Sequence, residues 1–138
     1  VFLCYNCYCD GDNMNYLYNL DLNENEILDI VDANGEVQDL SEEEMIKYIY
    51  ALIDIGCTQK QIHTIITSNP AYFSRDVEDV GTFLRKLKSY DVDVSLAVEA
   101  NPWLLNKDSF ELDEFINEKR SLGIADDEIL DNFIHDCF

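Results

Sequence analysis

Residues 56–90, GCTQKQIHTIITSNPAYFSRDVEDVGTFLRKLKSY, contain the clearest structural pattern of the chain. Apolar residues recur three and four positions apart on both sides of Asn69-Pro70, which predicts two amphipathic helices separated by a corner. Proline disfavours the α conformation at the residue before it, so the first helix should end at Asn69. Thr58 can cap the start of that helix. The stretch therefore predicts a unit of a short helix, a corner and a longer helix.

The same unit recurs before and after this stretch. The interval from a corner asparagine to the end of the following helix is 22 residues in three places: Asn34 to Gly56, Asn69 to Asp91 and Asn101 to Gly123. Each interval contains an apolar set spaced as one face of a helix: Met45, Tyr48 and Ile49; Val80, Phe83 and Leu84; Leu112, Phe115 and Ile116. Asn34-Gly35 alone would favour a β-hairpin, but the repeat register makes it another helical corner.

Self-similarity at this period is typical of helical solenoids, in which each unit buries its apolar face against the next. We expect an all-α solenoid, right- or left-handed, of about three and a half two-helix repeats of 32–35 residues. The predicted short helices are 23–33, 58–68, 93–100 and 125–134, and the predicted long helices are 41–55, 76–89 and 109–122.

Residues at the predicted helix ends agree with this assignment. Ser41 and Glu44 form a capping-box pattern at the start of the first long helix. Gly56, Asp91 and Gly123 follow the long helices, where a residue in the left-handed conformation is needed. We expect residues 14–138 to form one helical-repeat domain, preceded by a cysteine-containing arm at 1–13.

The charge of the chain is strongly unbalanced. Its 138 residues contain 29 acidic and 9 basic side chains, a formal net charge of −20. Such a charge disfavours contact with phosphate backbones or anionic lipid and favours basic surfaces or cations as partners. The alternative is that the acidity serves solubility alone.

The N-terminal residues bear on location and metal binding. No apolar run approaches the roughly 18 residues that a membrane span needs, and VFLCYNCYC lacks the basic region of a signal peptide, so we expect a cytoplasmic protein. Cys4, Cys7 and Cys9 could donate three thiolates to zinc, with Cys137 or His135 as a fourth ligand. A single cluster without a second CxxC pair is weak evidence, so we expect free thiols and no cofactor.

Candidate catalytic residues are sparse. His63 and His135 occupy equivalent places on short helices, without a nucleophile at the spacing of a triad, and are predicted to be exposed polar positions. Cys57 has no base within sequence reach and is predicted to be a packing residue. We therefore expect a protein that is not an enzyme and has no small-molecule substrate.

The repeat resembles that of the mitochondrial transcription termination factor (mTERF) family. The matching residues of the best-formed unit are Leu52, Gly56, Ile62, Ile65, Ile66, Pro70, Tyr72 and Phe73, and those of the next are Leu87, Val98, Pro102, Trp103, Leu104 and Leu105. The resemblance covers residues 22–134 and implies a curved solenoid that binds nucleic acid in a basic groove. The basic cluster available for that role is Arg85, Lys86 and Lys88, with Arg75 upstream. The alternative is a solvated face paired with carboxylates.

Carboxylates cluster at predicted helix starts: Glu42, Glu43 and Glu44; Asp76, Glu78 and Asp79; Asp108, Glu111, Asp113 and Glu114; and Asp126, Asp127 and Glu128. The helix dipole alone favours acids there. In a stacked solenoid, however, equivalent helix starts lie along one edge, about 10 Å apart.

The charge and the resemblance favour different functions. The charge favours a binding module whose acidic edge occupies a basic groove of a nucleic-acid-handling protein or nuclease, as a nucleic-acid mimic or an inhibitor of the anti-CRISPR kind. The resemblance favours direct binding of nucleic acid through Arg85, Lys86 and Lys88.

Overall fold

The computed structural model describes residue 17 and residues 20–135 of the chain. That part of the chain is entirely helical, with no strand, which confirms the predicted fold class. The elements in order are α1 (Glu24–Ala33), a first 3₁₀ helix (Gly35–Asp39), α2 (Glu42–Asp54), α3 (Gln59–Ser68), a second 3₁₀ helix (Pro70–Ser74), α4 (Val77–Lys88), α5 (Val94–Ala100), a third 3₁₀ helix (Pro102–Asn106), α6 (Ser109–Ser121) and α7 (Asp126–His135).

The repeating unit is a short α-helix, a 3₁₀ helix and a long α-helix. Each predicted corner is thus a full five-residue 3₁₀ helix rather than a simple bend. The asparagine before it has a φ near −140°, which breaks the α conformation. Pro70 and Pro102 then occupy the first 3₁₀ position, where the missing N–H is not needed.

Like elements stack on like elements along the chain. α1 packs on α3 and α3 on α5, while α2 packs on α4 and α4 on α6. Successive 3₁₀ helices also contact one another. The predicted apolar positions of the long helices are buried between these layers, except Phe115, which is only partly buried.

The predicted caps are present. Ser41 Oγ accepts a hydrogen bond from the Glu44 amide at 3.1 Å, and Glu44 Oε1 accepts one from the Ser41 amide at 3.0 Å. Gly56 and Gly123 have φ values of +95° and +80°, and Asp91 has +63°. The left-handed position after each long helix was therefore correctly predicted.

Corner asparagines link neighbouring repeats, a role that the sequence did not reveal. Asn34 Nδ2 donates to the carbonyl of Pro70 at 2.9 Å, and Asn69 Nδ2 donates to the carbonyl of Pro102 at 2.9 Å. Asn101 Nδ2 donates to the carbonyl of Ile134 at 2.8 Å. Each asparagine thus ends its own short helix and bonds the next unit.

Two tyrosines add a second link between repeats. The Tyr48 hydroxyl donates to the carbonyl of Arg75, and the Tyr72 hydroxyl donates to the carbonyl of Tyr48, each at 2.6 Å. Their rings meet edge to face with centroids 5.2 Å apart. Burial raises the pKa of both hydroxyls, so both remain protonated donors at neutral pH.

The described helices include none with the length and hydrophobicity that crossing a bilayer requires. The predicted boundary between an arm and the repeat domain, at residues 13 and 14, falls outside the described residues.

Candidate functional site

A groove of about 680 Å³ runs between the long helices α2 and α4. The wall from α2 carries Lys47, Tyr50 and Asp54, spaced three and four residues apart, so the three share one helix face. The wall from α4 carries Glu78, Gly81, Arg85 and Lys88 with the same kind of spacing. Stacking of equivalent helices therefore brings together residues that are at least 24 positions apart in sequence.

The groove has a local excess of positive charge in an acidic chain. Its lining includes three basic side chains, Lys47, Arg85 and Lys88, and two acidic ones, Asp54 and Glu78. Within the described residues none of these three cations forms an ion pair, whereas Lys86, Lys107 and Arg120 each pair with a carboxylate. Three cations are thus available to an anionic ligand.

The guanidinium of Arg85 lies against the preceding turn of α4, beside Gly81 and Thr82. Its Nη2 donates to Thr82 Oγ1 at 3.4 Å, and its Nη1 lies 3.2 Å from the place that a Cβ at Gly81 would take. Glycine at position 81 therefore leaves room for the guanidinium against the helix, on the wall of the groove.

Tyr50 provides an aromatic surface beside these cations. Its side chain is 54% exposed although it belongs to the groove lining. Leu84 and Ile55, both buried, form the apolar floor. The groove thus combines positive charge, an exposed ring and apolar surface.

The predicted basic cluster is divided between two faces of α4. Arg85 and Lys88 line the groove toward α2, but Lys86 turns toward α6 and pairs with Asp113. Arg75, after the second 3₁₀ helix, is partly buried and is not part of the lining. Lys47 was not predicted as a site residue, although its spacing from Tyr50 and Asp54 marks an exposed stripe on α2.

The predicted acidic set is also divided between two places. The starts of α2, α4 and α6 lie at one edge, because these helices stack as equivalent parts of successive units. α7 instead runs antiparallel to α6, because Phe115 contacts Phe133 while Arg120, later in α6, contacts Asp126, earlier in α7. Asp126, Asp127 and Glu128 therefore lie at the opposite edge, where Asp126 accepts hydrogen bonds from Arg120 at 2.9 and 2.7 Å.

Several acids at the shared edge act as caps. The side chain of Asp76 accepts hydrogen bonds from the amides of Glu78 and Asp79, and Asp108 forms a capping box with Glu111. The hydrogen bond from the Ser41 backbone holds the pKa of Glu44 below its ordinary value. The acidic residues with neither a cap nor a partner among the described residues include Glu42, Glu43 and Glu114.

His63 and His135 were predicted to be exposed polar positions, and Cys57 was predicted to be a packing residue. His63 differs, because it is only 31% exposed and its Nε2 lies 2.7 Å from Glu26 Oε2 of the preceding repeat. His135 is exposed, 3.1 Å from Asp131. Cys57 is buried, and burial with nearby Glu99 raises the pKa of its thiol to about 11, so it is not a nucleophile at neutral pH.

Metal ligands are not assembled in the part of the chain that the structure covers. No three His, Cys, Asp or Glu side chains converge there as a metal site. The predicted zinc candidates Cys4, Cys7 and Cys9 lie outside the described residues.

The chain was compared with known proteins. Searches of curated protein sequences and of solved structures found no match. The profile of the mTERF family matches residues 11–82, just over half of the chain, from before α1 into α4. The stacking of α4, α5 and α6 on these helices continues the same architecture to residue 121. The chain belongs to the mTERF family of helical-repeat proteins.

Proposed function

We propose that this chain is a nucleic-acid-binding module, without catalytic activity, whose contact surface is the groove between α2 and α4. The observation that carries the proposal is the convergence of Lys47, Arg85 and Lys88 on one groove, with no ion pair to any described carboxylate. Unpaired cations in a concave site are what a phosphate backbone requires. The nucleic-acid binding implied by the family resemblance supports the same function.

The net charge of −20 opposes this function, but the groove lining itself has three basic side chains against two acidic ones, Asp54 and Glu78. At physiological ionic strength charges interact over about 8 Å, so acids farther than this from a ligand in the groove are largely screened from it, whereas Asp54 and Glu78 are not. The acidity should slow association and limit affinity. Binding should therefore be modest and should depend on the few cations of the groove.

Charge-neutral variants test the proposal. Lys47→Gln, Arg85→Gln and Lys88→Gln each remove one positive charge from the groove, and Lys60→Gln removes one from the exposed start of α3, outside the lining. Fluorescence anisotropy with labelled oligonucleotides should show about a two- to fivefold loss of affinity for each groove variant. This is the loss expected when one solvent-exposed ion pair between a cation and a phosphate is removed.

The Lys60→Gln control should bind as wild type. Circular dichroism should show unchanged helicity in all four variants, because none of these side chains is buried. The proposal is wrong if the triple groove variant binds as tightly as wild type, or if Lys60→Gln loses as much affinity as the groove variants.

Binding of a basic protein is the second candidate function. The observation that favours it is the set of exposed acids at the shared start of the long helices, including Glu42, Glu43 and Glu114, which form no ion pair within the described residues. Such an edge would suit the basic groove of a nucleic-acid-handling protein, as a mimic or inhibitor.

One double variant distinguishes the two functions, because it is measured against both a basic probe and nucleic acid. Combined Glu42→Gln and Glu43→Gln substitutions should weaken binding to a basic probe such as polylysine if the edge is the binding surface. The same substitutions should leave nucleic-acid affinity unchanged or slightly raised if the groove is the binding surface, because they reduce repulsion of phosphates.

A further inference from the structure

We infer that the groove between α2 and α4 takes single-stranded rather than duplex nucleic acid, with one base stacked on the ring of Tyr50. This inference rests on the proposed function, since it concerns the ligand of the same groove. Three features of the groove carry it: the exposed ring, the small number of cations and the apolar floor.

The ring of Tyr50 is available to an unpaired base only. It is 54% exposed and lies on the same face of α2 as Lys47, one turn away. A base can stack on an aromatic side chain when it is not already stacked in a helix, and a neighbouring cation can then hold its phosphate. Bases inside a duplex present only their edges to a groove of the protein.

The charge around the groove favours a flexible strand. A duplex carries one phosphate per roughly 1.7 Å of its axis and is stiff over far longer distances than this molecule. Beyond the three cations, a duplex would bring its phosphates close to Asp54 and Glu78 and to the acids at the helix starts. A single strand can bend so that two or three phosphates meet Lys47, Arg85 and Lys88 and the others turn away.

Part of the groove lining suits the apolar faces of a base and its sugar. Leu84 and Ile55 are buried, so the apolar surface that a ligand can reach comes from the partly exposed Ala51 and Val77. A phosphate-only contact would gain nothing from this surface, whereas an unstacked base would bury part of it.

Direct titration tests the inference. Wild-type protein is titrated into a labelled single strand of about 16 nucleotides, at the upper end of site sizes for stacking grooves, and into the duplex of the same sequence, as DNA and as RNA. Tyr50→Ala removes the ring and Tyr50→Phe retains it. Phe110→Ala, which removes an exposed ring from α6, is the matched control.

The single strand should bind about tenfold or more tightly than the duplex, in DNA, RNA or both. Tyr50→Ala should lose about tenfold in single-strand affinity, while Tyr50→Phe and Phe110→Ala remain close to wild type. Equal or tighter binding of the duplex, or an unchanged affinity of Tyr50→Ala, overturns this inference.

The groove-charge variants separate this inference from the proposed function. If Lys47→Gln and Arg85→Gln still weaken binding while the duplex is preferred, the nucleic-acid function stands and the single-strand inference fails. If neither form of nucleic acid responds to those variants, both fail.

Discussion

Asn69 shows how one residue serves two purposes in this fold. Its backbone ends α3, and its fully buried side chain donates to the Pro102 carbonyl and, at 3.3 Å, to Asn106 Oδ1 of the next repeat. The first purpose could be predicted from the Asn-Pro sequence. The second could not, because it depends on how close the third 3₁₀ helix approaches once the units have stacked.

Replacing Asn69 with alanine should therefore destabilise the whole stack. The substitution leaves the partly buried Pro102 carbonyl without its donor, which should lower the free energy of unfolding by about 1–3 kcal/mol in urea denaturation. Asn117→Ala, at an exposed position of α6, is the control and should change it by no more than about 0.5 kcal/mol. Equal effects of the two substitutions would show that the bond between repeats contributes little.

The site residues were predictable only in part. The sequence identified Arg85, Lys86 and Lys88 as one basic cluster, but consecutive helix positions point in different directions, and the structure places Lys86 against Asp113 of α6. Lys47 and Tyr50 were missed because they belong to another repeat. A helical projection of α2 shows their shared face, but only the stacking of α2 on α4 brings them to Arg85 and Lys88.

At the scale of the element, helix ends were the best-predicted features. Every described α-helix begins and ends within about one residue of its predicted bounds, because caps and left-handed residues mark the ends in the sequence. The three 3₁₀ helices were not predicted. Five residues are too few to show a period, and the proline in two of them suggested only an end to the preceding helix.

The left-handed residue after α4 offers a stabilising substitution. Asp91 has a φ of +63°, where the equivalent positions 56 and 123 have glycine. A non-glycine residue pays about 1–2 kcal/mol in that conformation, and a carboxylate near a helix C-terminus is also unfavourable. Asp91→Gly should therefore raise the free energy of unfolding by about 0.5–1 kcal/mol, after the entropy cost of glycine.

Removing a glycine from the equivalent position of another repeat is the control for Asp91→Gly. Gly56→Ala, at a φ of +95°, should lower the free energy of unfolding by about 1 kcal/mol or more. Thermal or urea unfolding of both variants checks the pair. A loss of stability in Asp91→Gly would mean that the aspartate makes a contribution beyond its backbone conformation.

The capping box of α2 predicts a pH dependence. The Ser41 amide stabilises the ionised Glu44, whose pKa lies below its ordinary value of 4.5 in the folded protein. The contribution of the ionised group is therefore complete above pH 4.5 and is lost as the pH falls through the lower, folded pKa. Glu44→Gln retains the shape of the cap but not this ionisation.

The stability difference between wild type and Glu44→Gln should thus shrink as the pH falls. Urea denaturation at about pH 6 should show wild type more stable, and the two proteins should converge as the pH falls below the folded pKa of Glu44. A difference that stays constant over this range would contradict a role for the ionised form of Glu44.

The repeat register predicted the stack of the whole molecule, whereas the net charge did not indicate a binding surface. The 22-residue interval and its apolar sets depend on the sequence alone, so the solenoid could be predicted before any contact was known. The net charge of −20, by contrast, is a sum over all faces and gives no indication of where the few unpaired cations gather. Their gathering in one groove is a consequence of stacking.

The salt dependence of nucleic-acid binding reports how many phosphates the groove contacts. The affinity of wild type and of the triple variant Lys47→Gln, Arg85→Gln, Lys88→Gln is measured at several salt concentrations. Repulsion from the acidic surface affects both proteins almost equally, so the difference between their salt dependences comes from the groove. Three phosphate contacts should contribute a slope of about −2 in log K against log salt concentration for a single strand. We predict that wild type shows a slope more negative than that of the variant by about this amount. Parallel lines for the two proteins would contradict the assignment of the groove as the nucleic-acid contact.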